Sequence, residues 1–383
     1  MSAILRPIAA SLGAAAWLGV AGSAIAAPPT IDTSARNAIV VDFATGAVLL
    51  DKGADQRIPP ASMAKIMTAY VVFDYLKKGR AKLDDMLSVS EKAWRTGGSK
   101  MFVALGGQVK LEDLLRGMII QSGNDACVVL AEGLAGSEQA FVEQENAMAK
   151  TLGLKDTHYA DVDGLPSPDE YTTPRDLALL ARHLITDFPE YYHYDAEKDF
   201  TYNGIKQGNR NPLLYKTLGV DGLKTGHTEE AGYGLTVSAS RDERRVIMVL
   251  AGMSSMKERG QESEKVLEWA YREFGDYRLV KAGEPVDDAP VWMGVATKVP
   301  VTTKEDAVVT MPRRSRHDMK VIAAYDGPSK APVAQGQQVG KLVVTAPDMN
   351  AVEFPLVAAQ PVAKLNPIER VAMAAGYLLW GRH

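Results

Sequence analysis

The stretch PPASMAKIMTAYVVFDYLKKG, residues 59–79, places a strong demand on any fold of this chain. Between Arg57 and Asp74 it carries one charged residue, Lys65, among Met63, Ala64, Ile66, Met67, Ala69, Tyr70, Val71, Val72 and Phe73. Pro59 and Pro60 lead in, Lys77 and Lys78 fill a last turn, and Gly79 suits a C-terminal cap. Residues 62–78 therefore read as a helix. A lysine in so apolar a segment costs free energy unless something pairs or discharges it. The rest of the chain must supply both the burial and the reason for it.

The surroundings follow from hydrophobic period and turn residues. Residues 37–51, NAIVVDFATGAVLLD, read as two strands joined around Thr45 and Gly46. Residues 111–134 read as two short helices: Leu111, Leu114, Leu115, Met118 and Ile119 share a face, then QSGND interrupts. In residues 172–187 Thr173 suits a cap and Pro174 the first helical position. GYGLTVSAS and RRVIMVLAG flank a charged turn, as in a hairpin. Residues 258–274 return to helix, ending at Gly275. Strands come first, helices fill the middle, then strands and a helix return. This predicts an α+β class in which the first and last strands pair into one antiparallel sheet with helices packed on it. From residue 276, β-type runs such as VWMGVATKVPV, AVVTM, KVIAAY and KLVVTA alternate with turns, as in a small all-β domain.

Length and composition exclude several functions. At 383 residues the chain suits two or three domains. Its net charge of −4 gives no bulk attraction to nucleic acid. The single cysteine, Cys127, excludes a disulfide framework and a cysteine-rich zinc site. The six histidines form no H-x-x-x-H pair, so no metal is expected, and no glycine-rich nucleotide motif appears. The N-terminus has Arg6, an apolar stretch from Ile8 to about Gly22, then Ala24-Ile25-Ala26. It reads as a signal peptide over residues 1–26, cleaved near Ala26 or Ala27, rather than an uncleaved anchor, because the stretch is short for a bilayer span. The remainder is then expected outside the cytoplasm.

Ser62 and Lys65 lie three residues apart, which on a helix puts them on one face, a turn apart. A serine hydroxyl is a weak nucleophile until a base takes its proton, and a neutral amine within reach is such a base. A lysine working near neutrality must come down from about 10.4 to about 7, worth on the order of 4 kcal/mol. Burial and a second cation both act in that direction. The pair alone is weak evidence, since Ser254 and Lys257 match S-x-x-K too and are given no function. Two further matches change the reading. Ser122-Gly123-Asn124 lies in the break between helices and is the one S-x-N, although Asn124 or Asp125 would also serve there as a helix cap. Lys224-Thr225-Gly226 is the one K-[ST]-G. The three in this order are the signature of β-lactamases and penicillin-binding proteins, with SGN where SDN is usual.

From about residue 30 to 275 the chain closely resembles the low-molecular-mass penicillin-binding proteins that act as D-alanyl-D-alanine carboxypeptidases. GGSKMFV, MIIQSGNDA, YTTPRDLALLA and KTGHTEEAGY carry the likeness beyond the three motifs. The resemblance implies a five-stranded antiparallel sheet with a helical lobe, then a β domain and a terminal amphipathic helix. The implied boundaries are 27–275 for the peptidase domain, 276–362 for the β domain and 363–383 for the helix. It implies that Ser62 attacks the carbonyl between two terminal D-alanines and that Lys65 is its base. Ser122 would relay a proton to the leaving amine, Asn124 would orient Lys65 and the substrate amide, and Lys224 would add the potential that keeps Lys65 neutral. Thr225 and Arg259 would take the terminal carboxylate, and Gly226 would let the substrate backbone lie close. The N–H groups of Ser62 and His227 would form the oxyanion hole, so the His227 side chain is not expected to be a base. Partners implied are the peptidoglycan stem peptide, β-lactams as covalent inhibitors and a membrane surface. No cofactor is implied, and the location is the periplasmic face of the bacterial inner membrane.

Three rivals remain at this point. A class A β-lactamase needs a glutamate to activate water for deacylation, and E-x-x-L-N is missing between residues 155 and 180, where DTHYADVDGLPSPDEY stands instead. Asp161, Asp163 and Glu170 there read as a solvated loop. A D,D-endopeptidase of the same fold is not separated by the motifs. A non-enzymatic wall-binding protein is opposed by the intact nucleophile set. In the final segment Ile368, Val371, Ala375, Leu378 and Leu379 follow helical spacing, with Tyr377 and Trp380 near the end. It is too short to span and suits an interface, although docking on the protein's own β domain is the alternative.

Overall fold

The computed structural model describes residues 30–380, and side chains as far as residue 376. The leader expected over residues 1–26 lies outside the described residues. Five antiparallel strands form one sheet in the order Val48–Lys52, Asn37–Asp42, Arg244–Met253, Gly232–Arg241, Val220–Thr228. The first two strands therefore join the last three, as the alternation of elements predicts. In the strand Arg244–Met253 the period of two divides the core between both faces. Ile247 and Val249 join the layer formed with the helical lobe, while Val246, Met248 and Leu250 join the layer under the helix Met256–Glu273.

The apolar segment of residues 59–79 forms a short 3-10 turn, Ala61–Ala64, followed by the helix Lys65–Lys77. Every residue of that helix except Asp74 and Lys77 is buried. A helix apolar on all sides has to be central, and this one packs among Leu111–Gln121, Asn124–Ala135, Glu138–Thr151 and Pro174–Asp187. Ser62 thus stands in the 3-10 turn rather than in the α-helix. Thr173 caps the helix Pro174–Asp187, its side chain accepting from Asp176 N.

Two expectations need correction, and two strand pairs were not foreseen. The helix Met256–Glu273 does not end at Gly275, which lies in the next strand, Phe274–Val280, opposite Met311. Neither Asn124 nor Asp125 caps its helix: Gly123 is the cap residue, and the Asp125 carboxylate instead accepts the N–H groups of Met101, Phe102 and Val103. Two small two-stranded sheets, Met86–Ser88 with Gln108–Lys110 and Asp199–Tyr202 with Ile205–Gly208, have no counterpart in the sequence reading, being too short for a periodic signal.

Beyond the helix Met256–Glu273, Phe274–Val280 pairs with Ala307–Pro312, and six further strands form a second sheet around Ala289, Val299, Val301, Leu342 and Leu356. The two parts meet at a buried ion cluster. The Arg244 Nε lies 3.0 Å from Asp42 Oδ2 and 3.2 Å from Asp276 Oδ1, and Thr310 Oγ1 donates to Asp276 at 2.8 Å. The helix Pro367–Trp380 starts at Asn366, whose Oδ1 accepts from Glu369 N while Glu369 Oε2 accepts from Asn366 N. This is a reciprocal cap.

Candidate active site

Ser62 is placed by unusual backbone on both sides. Ala61, just before it, has φ +48°, and Gly164 of a neighbouring loop packs so closely that a Cβ there would lie 2.0 Å from the Ala61 carbonyl oxygen. Ser122, at the end of Leu111–Gln121, has φ 60° and ψ 34°. Left-handed backbone at a serine costs about 1–3 kcal/mol and persists where the surroundings over-determine it. Here the left-handed turn breaks one helix and starts the next, and its side chain is aimed at Lys224.

The structure brings together two serine–lysine pairs. Lys65 Nζ donates to Ser62 Oγ at 3.0 Å, and Lys224 Nζ donates to Ser122 Oγ at 3.0 Å. Lys65 is 1 % exposed, and its second acceptor is the main-chain oxygen of Asp163. Lys224 is buried too and also reaches Thr225 O at 3.2 Å. Its ammonium is pushed well below the ordinary lysine value, by burial first and then by the charges of Lys65, Arg210 and Arg259. Removing two ammonium groups from water side by side is unfavourable. The cluster therefore favours one proton fewer than two free lysines would hold.

Arg259, on the helix Met256–Glu273, is buried without a carboxylate partner among the described residues. Its Nη2 donates to Arg210 O at 3.4 Å, its Nε has no partner, and it lies 5.7 Å from the Tyr233 ring centre. Burial brings it down to about 10. A buried guanidinium with spare donors is suited to an incoming carboxylate. Arg210, whose Nη1 donates to Ser99 Oγ, adds a further cation nearby and was not singled out from the sequence. An isolated arginine between two asparagines carries no local pattern that would mark it.

The other expected residues fall as follows. Thr225 is buried on the edge strand Val220–Thr228, next to Lys224. Gly226 is required by the protein itself, since a Cβ there would lie 2.9 Å from Pro60 O and 3.1 Å from Met63 Cγ. The His227 ring is exposed and stacks on Tyr233 at 3.9 Å between centres. Among the described residues it makes no hydrogen bond to Ser62. Asn124 Nδ2 donates to Gly97 O at 2.9 Å rather than to Lys65, and its buried Oδ1 has no protein partner.

Two of the three loop acids read as solvated are buried, while Asp161 is half-buried and Leu165, Pro166, Pro168 and Asp169 are exposed. Asp163 is buried and Glu170 is 5 % exposed. Burial pushes Asp163 up to about 7, against the opposing charge of Lys65, and pushes Glu170 up to about 10. Glu145 was also not singled out. It is buried, with its carboxyl held well above the ordinary range by desolvation. Hydrogen counting agrees. Thr68 Oγ1 lies 2.8 Å from both Glu145 Oε1 and Val162 O but has one proton, so a protonated Glu145 can donate to Thr68, which then donates to Val162. The sequence did hold a signal: Phe141, Glu145 and Ala149 share one buried face of the helix Glu138–Thr151.

Comparison with known proteins is consistent along the chain. The family model for D-alanyl-D-alanine carboxypeptidases matches residues 23–255, and that for the penicillin-binding protein 5 C-terminal domain matches residues 274–364. The D-alanyl-D-alanine carboxypeptidase DacC of Escherichia coli is 42 % identical over 352 residues, covering 89 % of this chain and 88 % of that protein. DacF of Bacillus subtilis is 35 % identical, covering 86 % of each. The crystal structure of penicillin binding protein 5 from Haemophilus influenzae is similar with a TM-score of 0.81 and 38 % identity, over 88 % of this chain and 99 % of that one. Penicillin-Binding Protein D2 from Listeria monocytogenes in its ampicillin-bound form is similar with a TM-score of 0.59 and 30 % identity, over 63 % of this chain and 99 % of that one.

Proposed function

The chain belongs to the D-alanyl-D-alanine carboxypeptidase family and is a serine peptidase of that kind; on that premise we propose that Ser62 is its nucleophile and Lys65 its base. The observation that carries this assignment is the 3.0 Å contact between Lys65 Nζ and Ser62 Oγ in a buried setting.

The substrate is a peptidoglycan stem ending in D-Ala-D-Ala. Its terminal carboxylate meets Thr225 and the unpartnered donors of Arg259. Lys65, as the free amine, takes the Ser62 proton, and Ser62 Oγ bonds to the carbonyl carbon of the penultimate D-alanine. The oxygen that becomes negative is received by the N–H groups of Ser62 and His227. As the intermediate collapses, the C–N bond breaks and the leaving amine takes a proton from Ser122 Oγ, which is reprotonated by the Lys65 ammonium, directly or relayed by Lys224, so that Lys65 is a free amine again. Asn124, with a buried carbonyl oxygen free of protein partners, receives the substrate amide. Lys65 then takes a proton from water as the water oxygen bonds to the ester carbon; the bond from that carbon to Ser62 Oγ breaks, and Lys65 returns the proton to Oγ, freeing Ser62. A β-lactam enters by the same first step and leaves a ring-opened ester on Ser62.

The placement of the protein in the cell is part of the same proposal. Residues 1–26 direct export, and the enzyme works in the periplasm, held at the membrane surface by the helix Pro367–Trp380. That helix carries Ile368 at 82 % exposure, with Val371 also exposed, so this side is not docked on the β domain. Among the described residues no helix is long and apolar enough to cross a membrane.

Labelled penicillin followed by peptide mapping tests the assignment. The label is expected on the peptide bearing Ser62, and Lys65→Ala is expected to lose labelling at least 100-fold. Labelling at another serine, or an unaffected Lys65→Ala, would overturn it.

A further inference from the structure

Lys65 has two acceptors, and one of them is main chain. Its Nζ donates to Ser62 Oγ and to the carbonyl oxygen of Asp163. That carbonyl belongs to a tight turn, and the turn is fixed from several directions. Asp161 Oδ1 accepts the N–H of Asp163 at 3.0 Å and that of Gly164 at 2.6 Å. Asp163 Oδ1 accepts the N–H of Leu165 at 3.1 Å. Thr68, on the Lys65 helix, lies 2.8 Å from the preceding carbonyl, Val162 O. Gly164 has φ +76°, and its lack of a side chain lets the turn sit directly on the Ala61 carbonyl beside Ser62.

Asp161 is half-buried and makes no ion pair among the described residues. The titratable groups facing it are Asp163 and Glu170 of its own loop and Glu145 of the helix Glu138–Thr151, with Lys65 across Asp163. A carboxylate without a cation, gathering two adjacent N–H groups, fixes the plane of the peptide between them.

We propose that Asp161 is a positioning residue for acyl transfer: by holding the N–H groups of Asp163 and Gly164 it aims the Asp163 carbonyl at Lys65 and so keeps Lys65 Nζ on Ser62 Oγ. The inference rests on the reading of Lys65 as the base of Ser62. The acceptor oxygen of Asp161 sets this geometry.

The test is the second-order rate of acylation by labelled penicillin, measured from acid to alkaline pH on the full chain. Asp161→Ala removes the acceptor and is expected to slow acylation about 10–100-fold at every pH, the scale of a misplaced catalytic group. Asp161→Asn keeps an oxygen acceptor and is expected to stay within about threefold of wild type at the pH optimum. Asp161→Ser, with a short hydroxyl acceptor, is expected to fall between the two and replaces the alanine variant if that one fails to fold. Asp161→Ala at the wild-type rate, or Asp161→Asn as slow as Asp161→Ala, would overturn the proposal. Lys65→Ala in the same series keeps the premise separate. Full acylation there removes the base reading itself, whereas lost acylation there with Asp161→Ala normal removes only the role of Asp161.

Discussion

Arg259 is a buried cation with an unpartnered Nε and, among the described residues, no carboxylate to neutralise it. The surrounding fold bears that cost, and on the proposed mechanism a substrate carboxylate relieves it. A charged hydrogen bond of this kind is worth about 1.5–3 kcal/mol, so Arg259→Ala is expected to raise KM for a D-Ala-D-Ala peptide roughly 10–100-fold while kcat changes less. Steady-state kinetics on a pentapeptide checks this. Glu170 makes the opposite kind of prediction. Its folded value lies near 10 against an ordinary 4.5, so the folded state holds a proton that the unfolded chain has lost. The stabilisation is fully present below 4.5 and is lost as pH rises toward 10. Glu170→Gln keeps the shape without the titration, and it should raise the melting temperature by several degrees at neutral pH, with a gain that grows with pH. Equal melting curves for both proteins from acid to alkaline pH would refute the protonated state.

The strand Val220–Thr228 and the turn Ala61–Ala64 are fitted to each other, and Gly226 marks where they touch. A methyl group there meets a backbone carbonyl, which cannot rotate away. Gly226→Ala is therefore expected to lower both melting temperature and penicillin acylation, the latter more than tenfold. Circular dichroism and labelling on the same sample separate the two losses. Much of this element plan was legible beforehand. Pro174–Asp187 announces itself by its period and its cap, and Lys65–Lys77 by the prolines before it and the lysines and glycine at its end. That Ser62, Lys65, Ser122 and Lys224 come together was legible because three short motifs of fixed spacing name them. The burial of Asp163 and Glu170 was not, because what surrounds a loop acid depends on contacts such as Gly164 on Ala61, about 100 residues apart in sequence. Gly275 misled for a related reason: a glycine after a helix suits a cap, but pairing with Met311 continues the chain as strand.

At the scale of the molecule, a catalytic sheet and helical lobe are joined to a β domain through the Arg244 cluster, and an apolar-faced helix follows. Ile368 and Val371 are exposed rather than packed in the core, and the proposed membrane-surface role of the helix rests on that. Deleting residues 365–383 should move the protein to the soluble fraction without reducing D-alanine release. A truncated protein that still sediments with membranes would remove the anchor. The central claim is that a buried Ser62–Lys65 pair removes the last D-alanine from a stem peptide. Its most direct test is release of free D-alanine from a pentapeptide ending in D-Ala-D-Ala, comparing wild type with Ser62→Ala. Release by the wild type that disappears in the variant is the predicted result. Release that survives the loss of Ser62, or no release from a wild type that penicillin still acylates, would contradict it.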